Sequence, residues 1–204
     1  MDSPTDDIFS QLSGAPMQQM AQQAGIGQAQ MAGAVAAALP LLLGALGRNA
    51  GRPGGAEALY GALGRDHAGA AGMGLGDVLG AVLGGASSRQ TDGLGQLSHI
   101  FGERQPQAVS SLGQTTGLGN EKAQMLLRTL APIVMAYLAK RMFGGEAADA
   151  GAPSPVGALG DILGQERRQA QGGLLGSVLD QDGDGDLDLS DMIKVGMGMM
   201  GRNP

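Results

Sequence analysis

Residues 180–191, "DQDGDGDLDLSD", put six carboxylates into twelve positions: Asp180, Asp182, Asp184, Asp186, Asp188 and Asp191, with no Lys or Arg among them. Acids crowded in this way either make a solvated linker or gather a hard cation, and spacing distinguishes the two. A twelve-residue calcium loop presents oxygen ligands from positions 1, 3, 5, 7, 9 and 12, position 7 through its backbone carbonyl, with Gly at 6 for the sharp turn. Counted from Asp180, every demand is met: Asp182 and Asp184 follow at 3 and 5, Gly185 at 6, Asp186 at 7, Leu187 at 8, Asp188 at 9 and Asp191 at 12. A start two residues later puts Leu187 at the Gly position and Ile193 where an oxygen is needed. The spacing therefore predicts a metal site of EF-hand type in the Asp180 register.

The flanks agree with a helix–loop–helix. Leu174, Leu175, Val178 and Leu179 give an entering helix an apolar face, and "MIKVGMGMM" after Asp191 reads as a short exiting helix. Two departures lower the expected affinity. Position 12 is Asp, one methylene shorter than the usual Glu, and the chain holds a single such loop where these loops usually pair. The Asp at 12 resembles dockerin-type loops, which suit extracellular calcium. These features imply a dissociation constant of roughly 10⁻⁵ to 10⁻³ M, with magnesium as the competing ion. Six neighbouring carboxylates repel one another in the empty loop, so metal and compact structure should be coupled.

Removing those six acids leaves 13 acidic against 13 basic residues in a 204-residue chain of net charge −6. No basic surface is advertised, and the five aromatics (Phe9, Tyr60, Phe101, Tyr137, Phe143), with no Trp, provide little for stacking bases, so nucleic-acid binding is not expected. Zero cysteines remove disulfides, thiolate metal sites and cysteine nucleophiles together. The acidic start "MDSPTDDIF" lacks the basic and apolar runs of a secretory signal. The compartment stays open: cytoplasmic by default, while a weak calcium site points to the periplasm or exterior.

The elements that must position any site read as helices. With 38 glycines and abundant Ala and Met, the core is built of small side chains that let backbones approach closely. Strand signals are nearly absent, so the fold class is all-α. Sliding the chain on itself by 92 residues pairs Ile8 with Ile100, Phe9 with Phe101, Gln22 with Gln114, Gly25 with Gly117, Gly27 with Gly119, Pro40 with Pro132 and Leu46 with Leu138. The matches fall mainly on turn and kink residues, which predicts two pseudo-repeated halves, 8–48 and 100–140. Each is a short helix, a second helix ended by a "G-[IL]-G" turn, and a long helix bent or restarted at its proline. Residues 1–145 form this helical domain, 146–156 are a linker ("GGEAADAGAPSP" carries its composition), and 157–204 hold the C-terminal helices and loop 180–191. "PGGAEALYGALG" (Pro53 to Gly64) and "GDVLGAVL" (Gly76 to Leu83) read as shorter helices. The uncharged run Met31 to Gly47 is at the short limit for a membrane span, but Pro40 interrupts it and its Ala and Gly are weakly apolar, so it reads as a buried helix of a protein that is not integral to a membrane.

The segments "LPLLLGALGRNAGRPGGAEALYGAL" (Leu39 to Leu63), "HIFGERQPQAVSSLGQTTGL" and "LLRTLAPIVMAYLAKR" (Leu126 to Arg141) resemble the YidB-like bacterial family, domain of unknown function 937 (DUF937). The resemblance spans most of Phe9 to Phe143. It implies an all-helical bacterial domain without an established activity, supplies no catalytic residue, and its members often end in a "DxDGDG"-like stretch.

Other chemistry finds little footing. There is no "GK[ST]" and no strand leading into a glycine-rich phosphate turn. His67, in "GRDHAG", reads as a surface loop residue and His99 as a helix residue near Phe101. Ser110, Ser111, Thr115 and Thr116 read as a polar helix face. The expectation is a non-enzymatic protein that binds calcium and acts as a binding or assembly module, with small-residue faces that fit a homo-oligomer or a protein partner. The alternative is a calcium-responsive regulator that engages a partner through its Met-rich C-terminal helix.

Overall fold

A computed structural model of the chain describes residues 3–70, 72–85, 91–144 and 155–171. Among these residues the architecture is all-helical, with no strand. The α-helices are α1 (Pro4–Leu12), α2 (Ala15–Ala24), α3 (Gln28–Ala50), α4 (Gly55–Ala62), α5 (Leu75–Leu83), α6 (Gly93–Phe101), α7 (Gln105–Thr116), α8 (Gly119–Phe143) and α9 (Pro155–Gln171). A π-helical turn, Leu63–His67, continues α4 directly. The first compact unit runs Met1–Glu166, and the second, Arg167–Pro204, lies almost wholly outside the described residues.

The sequence sets which helix is central. From Thr129 to Ala139 every residue of α8 is buried, so this stretch presents no polar face. A helix apolar all round needs neighbours on every side. It receives them from α3, α5, α6, α7 and the π-helical turn. α3 is the second core helix and buries Met31, Ala34, Val35, Ala38, Leu39, Leu42 and Leu43. Among the described residues α3 alone is long and apolar enough to cross a membrane, and 56 % of its most apolar 18-residue stretch is buried inside the protein. The first half of α9 adds Leu159 and Leu163, both fully buried, to the same core. It comes so close to α3 that a Cβ on Gly47 would stand 3.1 Å from the Leu163 carbonyl oxygen.

Two glycines end helices as their spacing predicts. Gly25 takes φ +61° after α2 and donates to the Ala21 and Gln22 carbonyls, while Ile26 also donates to Ala21 at 3.0 Å. Gly117 takes φ +67° after α7. Left-handed backbone costs a residue with a Cβ roughly 1–2 kcal/mol, which is why glycine stands there. Both long helices continue through their internal prolines, Pro40 and Pro132.

Proline lacks an amide donor and so frees the carbonyl four residues before it. For Pro132 that carbonyl belongs to Arg128, and the first residue of α6, Gly93, packs directly against it with no room for a side chain. A side-chain trio ties α1 to α8: the Tyr137 hydroxyl donates to Asp7 Oδ2 at 2.9 Å, and Arg141 Nη1 donates to the Tyr137 oxygen at 2.9 Å and to Asp7 Oδ2 at 3.3 Å.

Candidate functional site

The six aspartates of the predicted metal loop, Asp180, Asp182, Asp184, Asp186, Asp188 and Asp191, lie outside the described residues. Among the described residues no group of three or more His, Cys, Asp or Glu side chains converges. What the described chain does assemble is a cleft of about 840 Å³ between the C-terminal end of α3, α4, the π-helical turn and α6.

Each wall follows from local structure. At the end of α3, Asn49 donates from Nδ2 to the Ile100 carbonyl at 2.8 Å and to the His99 carbonyl at 3.2 Å. These are last-turn carbonyls of α6, which have no partner within their own helix. One side chain thus closes one helix end and fixes it beside another. α6 begins at Asp92, whose carboxylate accepts from the Gly95 amide at 3.0 Å. α4 starts after Gly54, itself at φ +73°, with no side chain capping its first amides. Those amides and the helix dipole leave a partial positive charge at this edge of the cleft. Tyr60 and Phe143 pack at 5.2 Å between ring centroids, tilted by 52°, and hold α4 against the end of α8.

His67 belongs to this cleft, and the expectation of a surface loop is corrected. It is 2 % exposed, on the inward side of the π-helical turn together with fully buried Leu63. The glycines around "GRDHAG" read as loop punctuation, yet Leu59, Leu63 and His67 recur every fourth residue, the period of a helix face turned inward. That recurrence was the available signal. Asn49 and Gln96 left no comparable one, because a single amide carries no motif.

The Gln96 side-chain nitrogen lies 3.3 Å from His67 Nε2. Which of the two donates follows the ring tautomer, so this contact joins α6 to the π-helical turn whichever ring nitrogen carries the proton. Nδ1 is buried and has no hydrogen-bond partner. Burial disfavours the imidazolium and pushes the His67 pKa below its ordinary 6.5, against a smaller upward pull from the Asp66 charge. His67 is therefore held as a neutral, buried imidazole. Arg52 and Arg65 line the same cleft with Asp66 and Asp92, so its formal charges cancel, while Leu59, Ala62, Ile100 and Met135 supply apolar wall.

His99, itself exposed on α6, shares the cleft, so two histidines distant in sequence line one cavity. The hydroxyls of α7 read as expected for a polar helix face. Thr116 Oγ1 donates to the Leu112 carbonyl at 2.6 Å, and Ser110 Oγ accepts from Gln114 at 2.9 Å.

A family model described as a bacterial protein of unknown function, DUF937, matches residues 6–141. No curated protein and no solved structure matches the chain.

Proposed function

The chain belongs to the bacterial DUF937 family, and we propose that this member is a non-enzymatic binding or assembly module that holds one divalent cation, calcium ahead of magnesium, in its C-terminal loop. The observation that carries the reading is the loop's register. Asp180, Asp182, Asp184, Asp188 and Asp191 fall at carboxylate positions, Asp186 at the carbonyl position, Gly185 at the bend and Leu187 at the apolar plug. An acidic linker selected only for solubility has no reason to place Gly and Leu at those two points.

In this reading the helical unit is the scaffold, built of two copies of one helix–turn–long-helix design at 8–48 and 100–140. The 92-residue offset that pairs Gly25 with Gly117 also carries Ala24, the end of α2, onto Thr116, the end of α7, and brings Gln28 within one residue of the start of α8 at Gly119. A duplicated unit with small-residue faces fits self-association or a protein partner. The burial of α3 favours a core helix over a membrane span.

Calorimetric titration of calcium and of magnesium into the full chain tests the proposal, beside a variant with Asp180→Ala and Asp184→Ala. Heat of binding in the wild type, tighter for calcium and lost in the variant, is the expected result. Flat titrations for both proteins would return the stretch to a solvated linker.

A further inference from the structure

Among residues 55–69, only Leu63 and His67 are buried, both on the π-helical turn, and the Tyr60–Phe143 ring pair is the further tie of this segment to the core. Segments with few buried side chains open locally at the lowest cost. The backbone changes type twice here, from α to π over Leu63–His67 and then to a 3-10 turn over Ala68–Ala70. The partner surface is fixed by comparison. Gly93 seats α6 on the Arg128 carbonyl, and Asn49 holds its last turn.

The hydrogen bonding of His67 suits one charge state. The Gln96 side-chain amide carries both a donor and an acceptor, so it meets Nε2 of a neutral ring in either tautomer. An imidazolium has two N–H donors. Whichever way the Gln96 amide turns, Nδ1–H stays buried and without an acceptor. An unpaired, charged donor removed from water is strongly disfavoured, whereas the same group in solvent is not.

The charged neighbours do not supply the missing acceptor. Asp66, beside His67 on the turn, favours the imidazolium, but burial outweighs it. Arg65 shares the turn, Glu57 is exposed on α4, Arg52 precedes that helix, and α6 contributes Asp92 and His99, both exposed. α8 brings Met135 and Phe143 to this side, neither of them titratable. Of the charged residues at that end of α8, Arg141 is tied to Asp7 and Lys140 is half-buried.

We propose that His67 is a proton-operated latch: neutral, it holds the π-helical turn against α6, and protonated, it releases residues 55–70 into water while the core of α3 and α8 stays folded. The latch is independent of the C-terminal loop.

Amide hydrogen exchange of the full-length protein, expressed as protection so that the intrinsic effect of pH cancels, tests it. A solvated imidazole of ordinary pKa 6.5 favours the open form about tenfold more at about pH 5.5 than at about pH 7.5 when the closed form takes up no proton. Protection across 59–67 should therefore fall several-fold, up to that limit, while 130–139 of α8 keeps its own. His67→Gln, which cannot become charged, should show no such fall. Unchanged protection at 59–67, an equal fall across 130–139, or a fall that persists in His67→Gln would each overturn the proposal. Should His67→Gln leave 59–67 unprotected even at the higher pH, the imidazole signals decide. The chain has two histidines, and His99→Gln, at an exposed position, leaves that of His67 alone. Its titration must coincide with the loss of protection, and a midpoint elsewhere would overturn the latch.

Discussion

At the scale of single residues, two buried titratable groups make opposite demands on pH. His67 is held neutral because burial lowers its pKa, so the unfolded chain takes up a proton more readily than the folded one. Its contribution to stability is full above the ordinary value of 6.5 and is lost as pH falls through the lowered folded value. Urea unfolding followed from about pH 8 down to about pH 5 should show this acid limb in the wild type and a shallower one in His67→Gln. Identical slopes would mean that the imidazole is solvated.

Tyr137 lies on the alkaline side. Burial first, and its bond to Asp7 second, push the phenol up to about 12, against the opposing pull of Arg141. A raised pKa gives stability that is complete below the ordinary value of 10 and declines as pH rises toward 12. Tyr137→Phe should cost about 1–2 kcal/mol near neutral pH, since it takes a partner from both Asp7 and Arg141, and it should abolish the alkaline decline. An unchanged alkaline limb in that variant would contradict the assignment. Of the two, only His67 left a sequence signal, its four-residue recurrence with Leu59 and Leu63. Tyr137 pairs with Asp7 across 130 residues, and His67 stands among glycines that mimic a loop, so tertiary packing decides both.

At the scale of elements the sequence says much more. The apolar runs, the helix-ending glycines and the shorter helices after Pro53 and around Gly76 read as they fold, because each rests on left-handed backbone or helical periodicity, whereas α3 and α8 run on through Pro40 and Pro132 without a restart. What local chemistry does not reveal is which glycine is needed for conformation and which for space. Gly25 stands at φ +61° with nothing within 4 Å of where a Cβ would be, so Gly25→Ala carries backbone strain alone, about 1 kcal/mol. Gly93 has ordinary backbone but abuts the Arg128 carbonyl that Pro132 leaves free. Gly93→Ala must push α6 off α8, which places its cost at about 2–3 kcal/mol. Chemical unfolding of the two variants should rank Gly93→Ala as the more damaging. The reverse order would mean that α6 does not sit on that carbonyl.

At the scale of the whole molecule, a helix buried on all sides for eleven residues organises the described chain, and α3 and the first half of α9 complete its core. The family, the helical class and the absence of strand among the described residues follow from patterns that run the length of the chain. The cleft does not, because its walls come from α3, α4, the π-helical turn, α6 and Met135 of α8, elements that only the tertiary fold brings together. The acidic loop is the converse case: the proposed cation site rests on the spacing of twelve consecutive residues alone.

The central claim is that one divalent cation organises those twelve residues, and amide hydrogen exchange of the full-length chain tests it most directly. With millimolar calcium, peptides covering residues 174–191 should become protected, while Asp180→Ala with Asp184→Ala should exchange equally fast with and without the ion. Exchange across 174–191 that calcium leaves unchanged in the wild type would contradict the account.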